Sequence, residues 1–104
     1  MFIATSKYIA KQADGTLINL EINIEQPELD PLSSTKDYRC RIEIPALSFS
    51  EYAYGVDAIQ SLCLVNQCLS YALKPLITAG CSFYLPQDLQ HELDIMMILM
   101  PSQS

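Results

Sequence analysis

Histidine is nearly absent from this chain, His91 being the one copy, and no two of the four cysteines, Cys40, Cys63, Cys68 and Cys81, stand in a C-x-x-C pair. Zinc-ligand spacing is therefore missing, and no metal or cofactor is expected. No G-x-S-x-G, P-loop, H-E-x-x-H or EF-hand pattern occurs either, which removes the common signatures of hydrolase, nucleotide and calcium chemistry. No residue is assigned a catalytic role, and a non-enzymatic chain is expected. Basic residues are scarce: six Lys and Arg face twelve Asp and Glu, a net charge of −6. Such a balance repels a phosphate backbone instead of releasing its counterions, so nucleic acid is not an expected partner. Apolar runs fall well short of the ~20 residues a membrane helix requires, and Met1–Lys7 lacks the basic start and apolar stretch of a signal peptide. A cytoplasmic chain without membrane contact is the expectation.

Half of the 104 residues are hydrophobic and 17% are charged, a composition that argues for one folded domain over 1–104. Flexible stretches are expected at 26–36, which carries Pro27, Pro31 and Ser33-Ser34-Thr35, and in the tail 101–104. The cysteines read as free, buried thiols. Cys63 and Cys68 stand five apart on a predicted helix and turn to different faces, which makes a disulfide between them poor.

From Ile18 to Glu25 the residues alternate without a fault, with Ile18, Leu20, Ile22 and Ile24 on one side and Asn19, Glu21, Asn23 and Glu25 on the other. This is a half-buried strand. Phe2–Lys11 alternates less cleanly, and Asp14-Gly15 supplies the turn that would pair it antiparallel with the next strand. Tyr38–Ile44 turns Tyr38, Cys40, Ile42 and Ile44 inward and leaves Arg39, Arg41 and Glu43 outward, the arginines facing Glu21 or Glu25 across strands. Ser48–Tyr54 is a short fourth strand or an extended approach to the helix.

Asp57 followed by Gln60 is a helix-start arrangement, each side chain serving the other's end of the first turn. Ile59, Leu62, Cys63, Val65, Leu69, Ala72, Leu73 and Leu76 then recur at spacings of three and four. One long amphipathic helix follows, bent or ended near Pro75 and capped by Gly80. Cys81–Leu85 and the apolar run Ile95–Met100 read as strands joined by a turn over 86–93. The rival reading makes Asp88 the N-cap of a second helix carrying Leu89, Leu93, Met96, Met97 and Met100. The fold class is α+β: an antiparallel sheet of about four to six strands with one long amphipathic helix across one face.

The stretch Glu51-Tyr52-Ala53-Tyr54-Gly55-Val56-Asp57-Ala58-Ile59-Gln60-Ser61-Leu62 resembles the signature of a family of small bacterial proteins of unknown function. In that family a Tyr-Gly-Val-Asp segment opens a helix after a basic-aromatic strand. The likeness spans roughly Ala10 to Leu85, and Tyr54–Leu62 is its specific part. This chain departs from it in the methionine-rich Ile95–Met100, where the family has an aromatic- or glycine-rich close. The resemblance implies the fold and no activity.

Candidate partner-binding residues are the acids Glu21, Glu25, Glu28 and Asp30, together with Tyr52, Tyr54 and Asp57 around the helix start. Tyr52 and Tyr54 can lay their rings on the sheet, Asp57 caps, and Gly55 permits a turn that a Cβ would forbid. Three functions compete. The first is a small acidic binding domain that neutralises a basic protein partner, as immunity proteins and antitoxins do. The second is a self-assembling structural domain, a homodimer joined through Ile95–Met100 or through Leu64 and Tyr71 on the helix's outer side. The third is a small enzyme or small-ligand-binding protein using Tyr54, Asp57, Cys81 and His91.

Overall fold

A computed structural model describes residues 1–99, and Met100 and the tail 101–104 lie outside the described residues. Seven strands form one sheet. The long alternating segments β1 (Phe2–Lys11) and β2 (Leu17–Glu25) pair antiparallel from Phe2↔Glu25 to Lys11↔Leu17. Their turn is closed by Gln12 N–H donating to the Thr16 carbonyl at 2.8 Å, with Gly15 at φ 91°. That is the left-handed conformation a glycine supplies without steric cost.

After β2 the chain enters the stretch expected to be irregular, and there it makes a short strand, β3 (Glu28–Leu29), against β4 (Tyr38–Ile44). The loop between them is tied by Asp30 N–H to the Asp37 carbonyl at 2.8 Å and by Asp37 N–H to the Ser33 hydroxyl at 3.1 Å. Serine and aspartate side chains thus replace the ladder that Pro27 and Pro31 interrupt. A single 3₁₀ turn, Pro45–Leu47, leads to β5 (Phe49–Gly55), which pairs with β4 over its whole length from Tyr38↔Gly55 to Ile44↔Phe49. The segment whose form the sequence left open is therefore a full strand, and it lies at an edge of the sheet.

The helical layer starts as expected but is set differently. Asp57 accepts a hydrogen bond from Gln60 N–H at 2.8 Å, and the Gln60 side chain accepts one from Val56 N–H at 2.7 Å. The reciprocal pair is the expected one, displaced by a residue on the glutamine side. The predicted long helix runs from Ala58 to Thr78 across the sheet, as α1 (Ala58–Cys63) and α2 (Val65–Thr78) with one irregular residue, Leu64, between them. The buried row is Ser61, Val65, Leu69 and Leu73.

One expectation for α1 is corrected. Ile59 and Leu62, predicted on the core stripe, are 75% and 41% exposed, while Ser61 is fully buried. Serine can occupy that seat because its hydroxyl donates to the Ala58 carbonyl at 2.8 Å. Gly55 does exclude a Cβ as expected, and it does so by close approach, its φ not being positive. A Cβ there would lie 2.5 Å from Ser61 N, so its role is to let the first turn of α1 sit directly on the end of β5.

Pro75 does not end α2, which runs on to Thr78 and closes in a Schellman cap, Gly80 N–H to the Ile77 carbonyl and Cys81 N–H to the Leu76 carbonyl, both 3.0 Å. The remainder contradicts the sequence-based expectation in a specific way. The strand after Cys81 is β6 (Ser82–Leu85), its partner is β7 (Asp88–Leu93), and the apolar run is not a strand but a short helix, α3 (Ile95–Leu99). Asp94, not Asp88, receives the helical N–H of Met97, at 3.3 Å. Ile95 is buried and Met97 and Ile98 are about half exposed. A continuous apolar run has no period of its own, and here one anchor in the core was enough to set it as a helical turn.

β6 joins β1 through three partners only, Ile9↔Tyr84, Ala10↔Phe83 and Lys11↔Ser82. The core lies between the helices and one face of the sheet, where Leu20, Ile22, Cys40, Ile42 and Ile44 meet Val65, Leu69 and Leu73. Among the described residues no helix is long and apolar enough to cross a membrane.

Three substitutions test this packing by urea denaturation. Leu73→Ala empties a fully buried seat and is expected to cost about 2–5 kcal/mol. Gly55→Ala forces α1 off β5 and is expected to cost about 1–3 kcal/mol, although alanine is the better helix and strand former. Asp57→Ala removes the cap and is expected to cost about 1 kcal/mol, with Asn at that position recovering most of it.

Candidate functional site

The face of the sheet away from the helices carries the charged side chains, and most of them are paired among themselves. Arg41 on β4 donates to Glu25 and to Glu43, each at 2.8 Å, and its Nε donates to the Ser50 hydroxyl at 3.0 Å. Arg39 bonds Glu28 at 3.3 Å and lies 3.9 Å from Asp30, while its guanidinium stacks 4.2 Å from the centre of the Tyr52 ring. Its pKa is raised: desolvation opposes the charge, but the hydrogen bond and charge of Glu28 outweigh that opposition. Glu21 sits apart, 3.9 Å from Lys7, and accepts from the buried Asn23 amide at 3.1 Å. Thr5 donates to the oxygen of that amide at 2.8 Å.

Of the sequence-predicted residues, Glu25, Glu28, Asp30, Tyr52 and Tyr54 are thus gathered around Arg39 and Arg41. Tyr52 and Tyr54 are neighbours on β5, with ring centres 6.1 Å apart. Glu21 belongs to a separate pair with Lys7, and Asp57 is occupied at the helix start. The expected partner of the arginines is corrected in part: Glu25 meets Arg41, whereas Arg39 takes Glu28 and Asp30 in place of Glu21. The four acids proposed for a foreign cation are each already matched to one of the chain's own.

Among the described residues six carboxylates have no ion-pair partner: Asp14, Asp37, Glu51, Asp57, Glu92 and Asp94. Four of them accept local hydrogen bonds, from Thr16, Thr35, Gln60 and Met97 respectively for Asp14, Asp37, Asp57 and Asp94. Among the described residues that leaves Glu51 and Glu92 with neither kind of partner. Glu51 lies on β5, on the side facing α2, in a groove lined by Phe49, Glu51, Tyr52, Gln67, Cys68 and Tyr71. Sequence reasoning missed this groove. The signal available was the alternation of Phe49, Glu51 and Ala53 against Ser50, Tyr52 and Tyr54, which separates the two faces once Ser48–Tyr54 is taken as a strand.

The other chemistry-bearing residues are dispersed. His91 faces Asp88 at 2.9 Å on the exposed β7. Cys81 shares a depression with Ile77, Phe83, Leu93 and Asp94 that does not include His91. Tyr54 points from the outer face of the sheet and Asp57 caps α1, so these four residues do not converge. The expectation of buried thiols fails at Cys63, which is exposed because α1 turns Ser61 inward instead. Cys40 is buried, donates to the Glu25 carbonyl at 3.1 Å, and has its pKa raised first by burial, then by Glu25 and Cys68. Cys68 is likewise raised, first by burial and then by the charge of Glu51. Both are held as thiols and are poor nucleophiles. No cluster of three or more potential metal ligands occurs among the described residues.

Comparison with protein-family models, with curated proteins and with solved structures finds no match to this chain.

Alkylation by iodoacetamide, mapped by peptide mass at mildly alkaline pH, should modify Cys63 first and Cys40 last. Glu51→Gln should speed alkylation of Cys68, because removing the neighbouring negative charge lowers that thiol's pKa, and should leave Cys63 unchanged. An unaltered Cys68 rate would mean that the Glu51 charge does not act in the groove.

Proposed function

We propose that this chain is a non-enzymatic, cytoplasmic protein-binding domain that covers a basic protein partner, in the manner of immunity proteins and antitoxins. The observation that carries this reading is the pair of exposed rings flanking the β5 edge: Tyr54 is 54% and Tyr71 79% exposed. Tyrosine combines large apolar area with a wet hydroxyl and loses little rotamer freedom on contact, which is why it is enriched at protein interfaces. The preference for a basic partner comes from the net charge of −6, which steers association with a cationic surface. Of the acids without an ion-pair partner among the described residues, Glu51 is the one on β5, and the proposed docking surface is this edge and not the outward face of β2.

A self-assembling role is the second reading, favoured by the apolar side chains exposed around the start of α1, Val56 before it at 72% and Ile59 within it at 75%. Of the contacts expected for a homodimer, Leu64 is unsuitable because it packs against the core. Tyr71 remains outward, and Ile95–Leu99 offers only Met97 and Ile98.

The immobilised chain, challenged with a bacterial lysate, should retain a protein of basic isoelectric point that is released by moderate salt. Retention of acidic proteins only, or of none, would remove the first reading. Light scattering over a concentration series separates the second: a doubled mass abolished by Ile59→Lys supports it, and a strict monomer at millimolar concentration ends it.

A further inference from the structure

We propose that the groove between β5 and α2 receives a lysine or arginine side chain carried on an extended segment of the partner protein, which adds to the open edge of β5 as a further strand. The proposal rests on the reading of a basic protein partner and assigns that partner a conformation and an anchoring residue.

The edge itself is the first observation. β5 is bonded to β4 in unbroken register over Phe49–Gly55, and among the described residues no strand lies on its other side. Natural edges are blunted by lysine, proline, bulges or a covering element. Phe-Ser-Glu-Tyr-Ala-Tyr-Gly has no lysine and no proline, its ladder has no register shift, and its one charge is Glu51. Main-chain pairing with an incoming strand is open along this edge, and side-chain pockets beside such an edge decide which strand is taken.

The groove supplies that choice. Phe49 and Tyr71 contribute two rings and Glu51 one carboxylate, while the Tyr52 ring is turned to the outer face against Arg39. Aromatic faces attract an ammonium or guanidinium, and a carboxylate free of other partners adds a charge-assisted hydrogen bond. The raised pKa of Cys68 agrees, since part of it comes from the Glu51 charge reaching across the groove. The acids on the sheet's outer face each already contact Lys7, Arg39 or Arg41, whereas the Glu51 carboxylate has no such contact among the described residues. Glu92 is the other unmatched carboxylate, but the only ring in its depression is Phe83, which is buried.

A second copy fits the edge less well. In an antiparallel pairing of two β5 strands about Tyr52, Glu51 falls opposite Ala53, and nothing in Phe49–Gly55 supplies a cation. Both carboxylates would be left uncompensated between two chains of charge −6.

The test is a ¹⁵N NMR titration of the full chain with the peptide acetyl-Thr-Val-Lys-Val-Thr-amide at about 20 mM salt, where screening is weak. Two control peptides carry norleucine for the lysine or N-methyl groups on alternate amides. Expected are shifts in the amides of Phe49–Gly55 and Gln67–Tyr71, with both controls and the Glu51→Gln chain binding about tenfold more weakly. Tyr71→Ala, at an exposed position, should weaken binding in the same direction, and circular dichroism checks that each variant is folded. Equal binding of the norleucine peptide, shifts confined to other strands, or no shifts at millimolar peptide would overturn the proposal. So would concentration-dependent broadening of the Phe49–Gly55 amides without peptide, which would give the edge to a second copy. A basic protein captured from lysate as strongly by Glu51→Gln as by the native chain would sink the groove and leave the broader binding reading standing.

Discussion

With a methyl group at residue 55, a Cβ would stand 2.5 Å from the nitrogen of Ser61 and 2.9 Å from the carbonyl carbon of Gln60. The first turn of α1 therefore has one seat on the sheet, and a glycine at the end of β5 provides it. From that seat Ser61, Val65, Leu69 and Leu73 follow at intervals of four and close over Leu20, Ile22, Cys40, Ile42 and Ile44. Each of those aliphatic chains gains about 1.5–3 kcal/mol from burial, against a total margin of about 5–15 kcal/mol for a domain. A displaced α1 would therefore endanger more than its own six residues. The same seating brings α2 alongside β5, so the groove of Phe49, Glu51 and Tyr71 is a by-product of the contact at residue 55.

Much of this architecture could be read before any coordinates. β2 and β4 each have one dry and one wet face, and strict alternation records that directly. The Asp57–Gln60 pair and Gly80 mark helix ends through local hydrogen bonds, which depend on few distant residues. What could not be read depended on tertiary neighbours. Ser61 looked like a surface residue because its burial requires Gly55 beneath it and an internal acceptor at Ala58. β7 looked like a turn because an edge strand exposed on both faces, Asp88-Leu-Gln-His-Glu-Leu, has no alternation to display. Ile95–Leu99 looked like a strand because five apolar residues in a row fit either period, and only the placement of Ile95 in the core decides.

The candidate site was legible in composition and not in arrangement. Counting acids gives the charge but not which of them are engaged. Once register is known, Glu25 meets Arg41 and Glu28 meets Arg39, pairs that are half-buried on the arginine side; surface pairs contribute about 0–1 kcal/mol each. Their consequence is mainly electrostatic: they offset part of the negative charge on the outward face of β2 to β4 and leave the Glu51 carboxylate at the margin without a partner among the described residues. Glu51 was passed over because a single glutamate between aromatic residues has no motif. Its significance comes from the ring of Tyr71, twenty positions further along the chain.

The narrow seam between β1 and β6 divides the molecule unequally. Only three residue pairs join them, whereas β1 and β2 are matched over nearly their full lengths, so the β6–β7 hairpin is tethered chiefly by Phe83 and by Ile95 beyond it. Cooperative opening units tend to follow such boundaries, with the poorly joined motif exchanging its amide protons ahead of the rest. The junction of β2 with β4 is narrower still, at two residue pairs, and there the core side chains Leu20, Ile22, Ile42 and Ile44 under the helices hold the two halves of the sheet together. The β5 edge is bonded to β4 along its whole length and so moves with β4.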